Sequence, residues 1–320
     1  MAVYTQLKLS EINTLCRPFE LGPVVDVRGI EDGIENSTYF VDFDHDGTVT
    51  HTVLTVFEYM SASELPPFIE LMAKLSRAQL QTPAPFQTAS KEYLIDVNGK
   101  PGLLFPRAAG GHVSTPCADQ CAEVGEFLAK MHLNHNVEPR ICIENSRGLN
   151  WQRDTAAQII NALPNDEVEL VNRQFNDVIQ QQDKLAELPS GIIHADLFHD
   201  NALFHEGRLS AVIDYYFACT DWFLLDLAIV ANDWCWGDDA SAYDRVKLSA
   251  LIAGYQAHRK LTSVEVELWP VVARIAMTRF WLSRRKDEIE ANGRRLKSAY
   301  PLKIRLEYLL NNPADLSQFC

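Results

Sequence analysis

The stretch His194-Ala-Asp-Leu-Phe-His-Asp-Asn201, followed thirteen positions later by Asp214 in the run Ala211-Val-Ile-Asp-Tyr-Tyr216, constrains this chain most strongly. Moving a phosphoryl group from a nucleotide to a hydroxyl requires a carboxylate facing the hydroxyl. It also requires a carboxylate and an amide to hold Mg²⁺ against the phosphates. Asp196 suits the first task, because it follows the apolar strand Gly191-Ile-Ile-His194 and opens a short polar loop. Asn201 and Asp214 suit the second. Leu203-Phe-His-Glu-Gly-Arg-Leu209 reads as a tight hairpin between two short strands, which would return Asp214 toward Asn201. Each residue alone is more often a turn or cap former, and it is the joint spacing that points to chemistry.

At 320 residues the chain is long enough for two lobes. Its formal net charge of -14 argues against nucleic acid or anionic lipid as a partner, since binding phosphate backbones depends on Lys and Arg. The beginning, Met-Ala-Val-Tyr-Thr-Gln, lacks a basic segment leading into an apolar core, and no apolar run approaches the ~20 residues of a membrane span. A cytoplasmic protein is expected. The seven Cys, an odd number without paired Cys-x-x-Cys spacing, read as reduced thiols that mostly fill core space.

Along the chain, Leu9 to Leu15 reads as a short helix capped by Ser10. Three strands follow over 23–30, 38–43 and 49–57, with Asp44-His-Asp-Gly47 closing a hairpin between the second and third. Pro66 and Pro67 open a helix whose Phe68, Leu71, Met72 and Leu75 share one face, and Val97-Asn-Gly-Lys100 is another hairpin turn. The β-rich pattern ends near residue 110. From Cys117 the period is helical, with further helices expected over 151–162, 166–186, 241–258, 264–287 and 300–310 and one opening near Asp226. The expected fold class is α+β: a small antiparallel-sheet lobe over 1–110 that holds the nucleotide, and a larger, mainly helical lobe over 111–320 that carries catalysis and acceptor binding.

The segments Gly33-Ile-Glu-Asn-Ser-Thr-Tyr-Phe-Val41, Val53-Leu-Thr-Val-Phe-Glu58, Arg147-Gly-Leu-Asn-Trp151, the 194–201 block, Ile213-Asp-Tyr-Tyr-Phe-Ala218, Asp226 to Cys235 and Arg279-Phe-Trp-Leu-Ser-Arg284 carry a resemblance over most of the chain. The sequence is similar to the aminoglycoside phosphotransferase and choline kinase group, which has a protein-kinase-like bilobal fold. Within that group it resembles the bacterial homoserine kinases of the second type (ThrB-like). The resemblance implies ATP and Mg²⁺ as cofactors, L-homoserine as the small-molecule substrate, and a place in threonine biosynthesis. It implies Asp196 as the hydroxyl-facing carboxylate, His194 grouped with it as the brace of the catalytic loop, Asn201 and Asp214 as magnesium ligands, and Asp226 as structural support.

On the nucleotide side, Gly33, Thr55, Phe105 and Arg107 are the candidates. Gly29-Ile-Glu-Asp-Gly33 departs from a full G-x-G-x-x-G pattern, and Thr55 stands where kinases carry a phosphate-binding Lys. On the acceptor side, a zwitterion needs a cation for its carboxylate and an acid for its ammonium. Arg279 and Arg284 are candidates for the first and Asp233 for the second, with Trp234 or Trp281 as an apolar wall. Two alternatives stay open: a kinase of another small alcohol such as choline, ethanolamine, methylthioribose or an aminoglycoside, and a nucleotide-binding pseudokinase. The missing Lys favours the pseudokinase. The presence of Asp196, Asn201 and Asp214 together opposes it.

Overall fold

The structure, a computed structural model, describes residues 4–30, 36–134, 141–237, 242–290 and 297–319. The chain divides into two compact units, Met1–Gly110 with Ser210–Tyr216, and Gly111–Leu209 with Phe217–Cys320.

The first unit contains α1 (Leu9–Cys16), β1 (Val24–Gly29), β2 (Ser37–His45), β3 (Thr48–Val56), α2 (Pro66–Arg77), β4 (Ile95–Val97) and β5 (Lys100–Pro106). The five strands form one antiparallel sheet in the order β1-β2-β3-β5-β4. Its two tight hairpins are locally encoded. Asp46 and Gly47 have φ 51° and 84°, and Asn98 and Gly99 have 56° and 84°; paired left-handed residues match the twist of the flanking strands. Alternation then sorts the side chains. Tyr39, Val41, Phe43, Leu54, Val56 and Leu104 bury one face against Ile12 and Cys16 of α1. Thr38, Phe40, Val53, Thr55, Leu103 and Phe105 share the other, as their cross-strand register requires. Ser10 is not the cap of α1. It lies inside the helix, and the Lys8 N–H at the start is taken by Glu11 Oε2 at 2.7 Å.

The second unit contains β6 (Gly111–His112), α3 (Ala118–Leu133), α4 (Leu149–Ile159), α5 (Asn165–Gln180), α6 (Gln182–Leu185), β7 (Ser190–Ile193), β8 (Ala202–His205), β10 (Cys219–Trp222), α7 (Phe223–Trp234), α8 (Arg245–Gln256), α9 (Ser263–Glu290) and α10 (Tyr300–Asn311). The division between the units runs through β9 (Arg208–Val212). A single cut at 110 would leave 210–216 with the later lobe, whereas in the structure that segment, and Asp214 with it, groups with the first unit.

One core of the second unit joins α4, α5, α9 and α10 through Ile159, Leu170, Val171, Trp281, Leu302, Leu306 and Leu309. A second contact is closer. A Cβ on Gly125 of α3 would lie 2.3 Å from the Leu251 carbonyl oxygen of α8, and one on Gly254 of α8 only 2.1 Å from that of Ala122. The two backbones therefore touch where side chains would hold them apart. α7 is apolar nearly all round and buried on all sides, as expected of a helix inside a domain.

Candidate active site

β7 pairs antiparallel with β10 and delivers the chain into the 194–201 loop. Ala195 there has φ 62°, a conformation costing an L-residue ~1–2 kcal/mol. Two charge-assisted bonds offset that cost: the His194 N–H donates to Asp226 Oδ2 at 2.8 Å and the Ala195 N–H to Oδ1 at 2.9 Å. Such bonds contribute roughly 1.5–3 kcal/mol each. Asp226 lies in the first turn of α7 and is fully buried. Arg279 Nη1 of α9 donates to the Ala195 carbonyl at 2.6 Å, fixing the same turn from the other side.

The next residues turn back on Asp196. Its N–H donates to His194 Nδ1 at 3.3 Å, and its carbonyl accepts from Phe198 N–H at 2.8 Å and from Asn201 Nδ2 at 2.8 Å. Asn201 Nδ2 also lies 3.2 Å from Asp196 Oδ2. With Nδ2 committed, Oδ1 is the Asn201 atom left to face a cation, which suits a magnesium ligand. The distal end of the loop is tied to α7, where Trp234 Nε1 donates to Leu197 O at 3.1 Å. Asp233 Oδ2 accepts from the His199 N–H at 2.8 Å and from His199 Nδ1 at 2.7 Å.

Behind Asp226 runs a buried chain of hydrogen bonds. His132 Nε2 faces Asp226 Oδ2 at 3.1 Å, so it is the protonated nitrogen, and Nδ1 accepts from Tyr255 O–H at 2.8 Å. Arg259 Nη1 donates to Tyr255 Oη and to Glu265 Oε1. Burial pushes His132 down and keeps it neutral. Burial opposes ionisation of Asp226, but the bonds from His132 and the His194 backbone prevail and hold its carboxyl below the usual range. Bonding to Asp233 raises His199 against partial burial.

His194 is fully buried and its Nδ1 accepts from the Asp196 N–H, the placement of a residue that braces the loop. Trp234 is 1% exposed and its indole N–H is bonded to Leu197 O, the placement of a core residue. Asp233 shares its carboxylate with His199. Arg284 Nη1 lies 3.3 Å from Ser298 O, and Asp233, Asp200 and Asp196 counter the burial that pushes the Arg284 guanidinium down. Arg279 is 3% exposed and stacks near Phe280.

In the first unit, Val212 N–H donates to Gln81 O at 2.7 Å, Tyr215 bonds Thr82 at 2.6 Å, and the Tyr216 ring meets Phe57 edge-on at 4.8 Å. These contacts fix Asp214, whose φ is 65°. Burial, then the Asp214 charge, pushes Tyr216 well above its ordinary value. Thr55 and Phe105 lie on the sheet face opposite α1. No lysine stands on that part of β3, but Arg107 lies 3.9 Å over the Phe40 ring and Arg28 lies 5.1 Å from the same ring. Gly33 lies outside the described residues. A pocket of about 410 Å³ in this unit, lined by Phe57, Glu58, Tyr59, Asp96 and Lys100 among others, contains none of the sequence-predicted residues.

His132 and Tyr255 were missed by the sequence reading because each sits on an apolar helical stripe that reads as core. The pattern of the phosphotransferase enzyme family matches residues 26–261. The chain is 40% identical over 285 residues to a homoserine kinase of Pseudomonas aeruginosa, covering 89% of this chain and 88% of the relative. It is 37% identical over 287 residues to a homoserine kinase of Methylobacillus flagellatus, covering 90% and 88%. Among solved structures, an amicoumacin kinase in complex with AMP-PNP, Ca²⁺ and Ami matches with a TM-score of 0.68 at 18% identity, covering 92% of each chain. A choline/ethanolamine kinase family protein from Mesorhizobium loti matches with a TM-score of 0.68 at 14% identity, covering 97% of this chain and 95% of that one. These structural matches show the protein-kinase-like fold.

Proposed function

The chain belongs to the phosphotransferase enzyme family, and from that premise we propose that it phosphorylates the hydroxyl of L-homoserine at the expense of ATP, giving O-phospho-L-homoserine for threonine biosynthesis in the cytoplasm. The observation that carries the chemistry is the trussed 194–201 loop. Asp226 and Arg279 hold the strained turn beside Asp196, and Asn201 orients the Asp196 carboxylate. Asp196 accepts the hydrogen bond of the substrate hydroxyl and receives its proton as the new O–P bond forms and the bond from the γ-phosphorus to the β–γ bridging oxygen breaks, releasing ADP. Asn201 and Asp214 are the proposed magnesium ligands. Bound Mg²⁺ supplies charge neutralisation at the phosphates. Thr55, Phe105 and Arg107 are the proposed nucleotide contacts, and Arg279 is the proposed partner of the substrate carboxylate. The homoserine kinases at 37–40% identity over nearly 90% of their length support the choice of acceptor.

The test is ADP release by the purified protein with Mg²⁺-ATP and L-homoserine, choline, ethanolamine, methylthioribose or an aminoglycoside. Turnover with homoserine that disappears in Asp196→Ala is the expected result. Turnover confined to another acceptor would retire the homoserine reading while leaving the catalytic loop in place.

A further inference from the structure

Arg259 lies just beyond the end of α8, away from the catalytic loop, yet the buried run of hydrogen bonds behind Asp226 begins with it. Its side chain is 11% exposed, and its Nη1 donates to Tyr255 Oη at 3.1 Å and to Glu265 Oε1 at 2.9 Å. The other Glu265 oxygen accepts from the Thr262 N–H at 2.8 Å and from Thr262 Oγ1 at 3.0 Å, which anchors that carboxylate at the start of α9. The guanidinium also lies 4.8 Å over the Phe223 ring, and Phe223 stacks on His132 with centroids 4.7 Å apart and planes 23° from parallel. Arg259, Phe223, His132 and Tyr255 thus form one packed block, with His132 and Tyr255 fully buried in it.

The direction of each hydrogen bond in this block follows from the arginine. A guanidinium only donates, so Tyr255 Oη accepts from it and gives its own proton to His132 Nδ1, 2.8 Å away. Nδ1 is then an acceptor, and the imidazole proton stays on Nε2, facing Asp226 Oδ2 at 3.1 Å. Asp226 remains an ionised acceptor for the His194 and Ala195 N–H groups, which hold the turn before Asp196. Tyr255 alone would not impose this order, because a hydroxyl can donate or accept. With Oη free to accept from Nδ1, His132 could carry both protons. An imidazolium there would compete with the two backbone N–H groups for the Asp226 carboxylate.

The groups that face His132 are Asp226 on α7, Tyr255 on α8, Arg259 after it and Glu265 on α9, while His194 at the end of β7 faces the same Asp226 carboxylate. Arg259 is the cation among them, and its charge adds to the burial that holds His132 down.

We infer that Arg259 is a positioning residue for phosphoryl transfer: it fixes the polarity of the bonds through Tyr255 and His132, and so keeps Asp226 holding the catalytic loop. This rests on the reading of Asp196 as the catalytic carboxylate. A residue that merely ended α8 or paired with Glu265 would affect stability alone.

Imidazole nitrogen–proton spectra of protein carrying 15N-labelled histidine test it, with the His132 signals assigned by their loss in His132→Gln. Wild type should show the Nε2–H tautomer of His132, unchanged as pH falls from about 8 to 6. Arg259→Met keeps the apolar stem without the donor, and in it His132 should begin to take a second proton over that range. The acid limb of its kcat profile with Mg²⁺-ATP and L-homoserine should move up by about one pH unit, with both KM values within about threefold. Arg259→Lys, still a cation that only donates, should return both readouts toward wild type. An Nδ1–H tautomer in wild type would overturn the inference, and that measurement needs no variant to fold. So would a folded Arg259→Met whose His132 spectrum matches wild type, or whose kcat is lowered equally at every pH. Wild type inactive with homoserine would retire the functional reading, while the spectra would still decide the role of Arg259 in the bond polarity.

Discussion

Asp196 is set by its neighbours more than by its own position. Its backbone and side chain are both held by Asn201, and the turn before it is held by Asp226 and Arg279. Asp196→Asn keeps the shape of the side chain and removes the proposed proton acceptor, so kcat should fall by about 10²–10⁴-fold with the urea midpoint little changed. Behind the loop, His132 gives a pH signature of definite sign. Its pKa is lowered in the folded state by burial, so below its ordinary value of 6.5 the unfolded chain binds a proton that the folded chain refuses. Its contribution is present above that pH and is lost as pH falls. His199 has the opposite sign, because bonding to Asp233 raises it: it stabilises at low pH, and the benefit fades as pH rises through its folded value. Urea unfolding at pH 7.5 and 5.5 separates the two. Wild type should lose more stability between these values than His132→Gln does, and equal losses would contradict the neutral, buried assignment. At this scale Asp196 and Asn201 were legible because their chemistry needs particular residue types. The burial of Trp234 and of Arg279 was not, since burial is invisible in a residue's name.

Among the elements, hairpins were the most legible. Asp46-Gly47, Asn98-Gly99 and Glu206-Gly207 each place two left-handed residues at a tight turn, a local preference that needs no distant partner. β10 was not legible. Its four residues make a strand only because β7 offers a register, Cys219 opposite Ile193 through Trp222 opposite Ser190. The α3–α8 contact was also hidden, because Gly125 and Gly254 lie more than a hundred residues apart and acquire meaning only when their helices cross. Gly254→Ala must push a methyl against the Ala122 carbonyl, and the strain should lower unfolding free energy by about 1–3 kcal/mol or more. Gly148→Ala, whose nearest neighbour would lie 3.4 Å away, is the mild control. Similar changes at both sites in denaturant titrations would show that the close approach does not govern.

For the whole molecule, the two units carry separate cores, one around Ile12, Tyr39 and Leu54 and the other around Trp281 and Leu306. Ligand-linked stability is the natural global readout. Mg²⁺-ATP at 100 times its Kd should add about 2.7 kcal/mol to folding and raise Tm. Asp214→Asn should lose the magnesium-dependent part of that shift and keep the rest. A variant that retains the full shift would remove Asp214 from the metal. The sequence alone determined the β-rich beginning and helical remainder and the turns, and nominated Asp196, Asn201 and Asp214, because these depend on side-chain chemistry and short-range backbone preference. Tertiary structure decided that 210–216 packs with the first unit, that His132 and Tyr255 stand behind Asp226, and that Arg279 is anchored on Ala195. Those facts depend on which distant surfaces meet, and packing distances and buried hydrogen bonds exist only once the chain has folded.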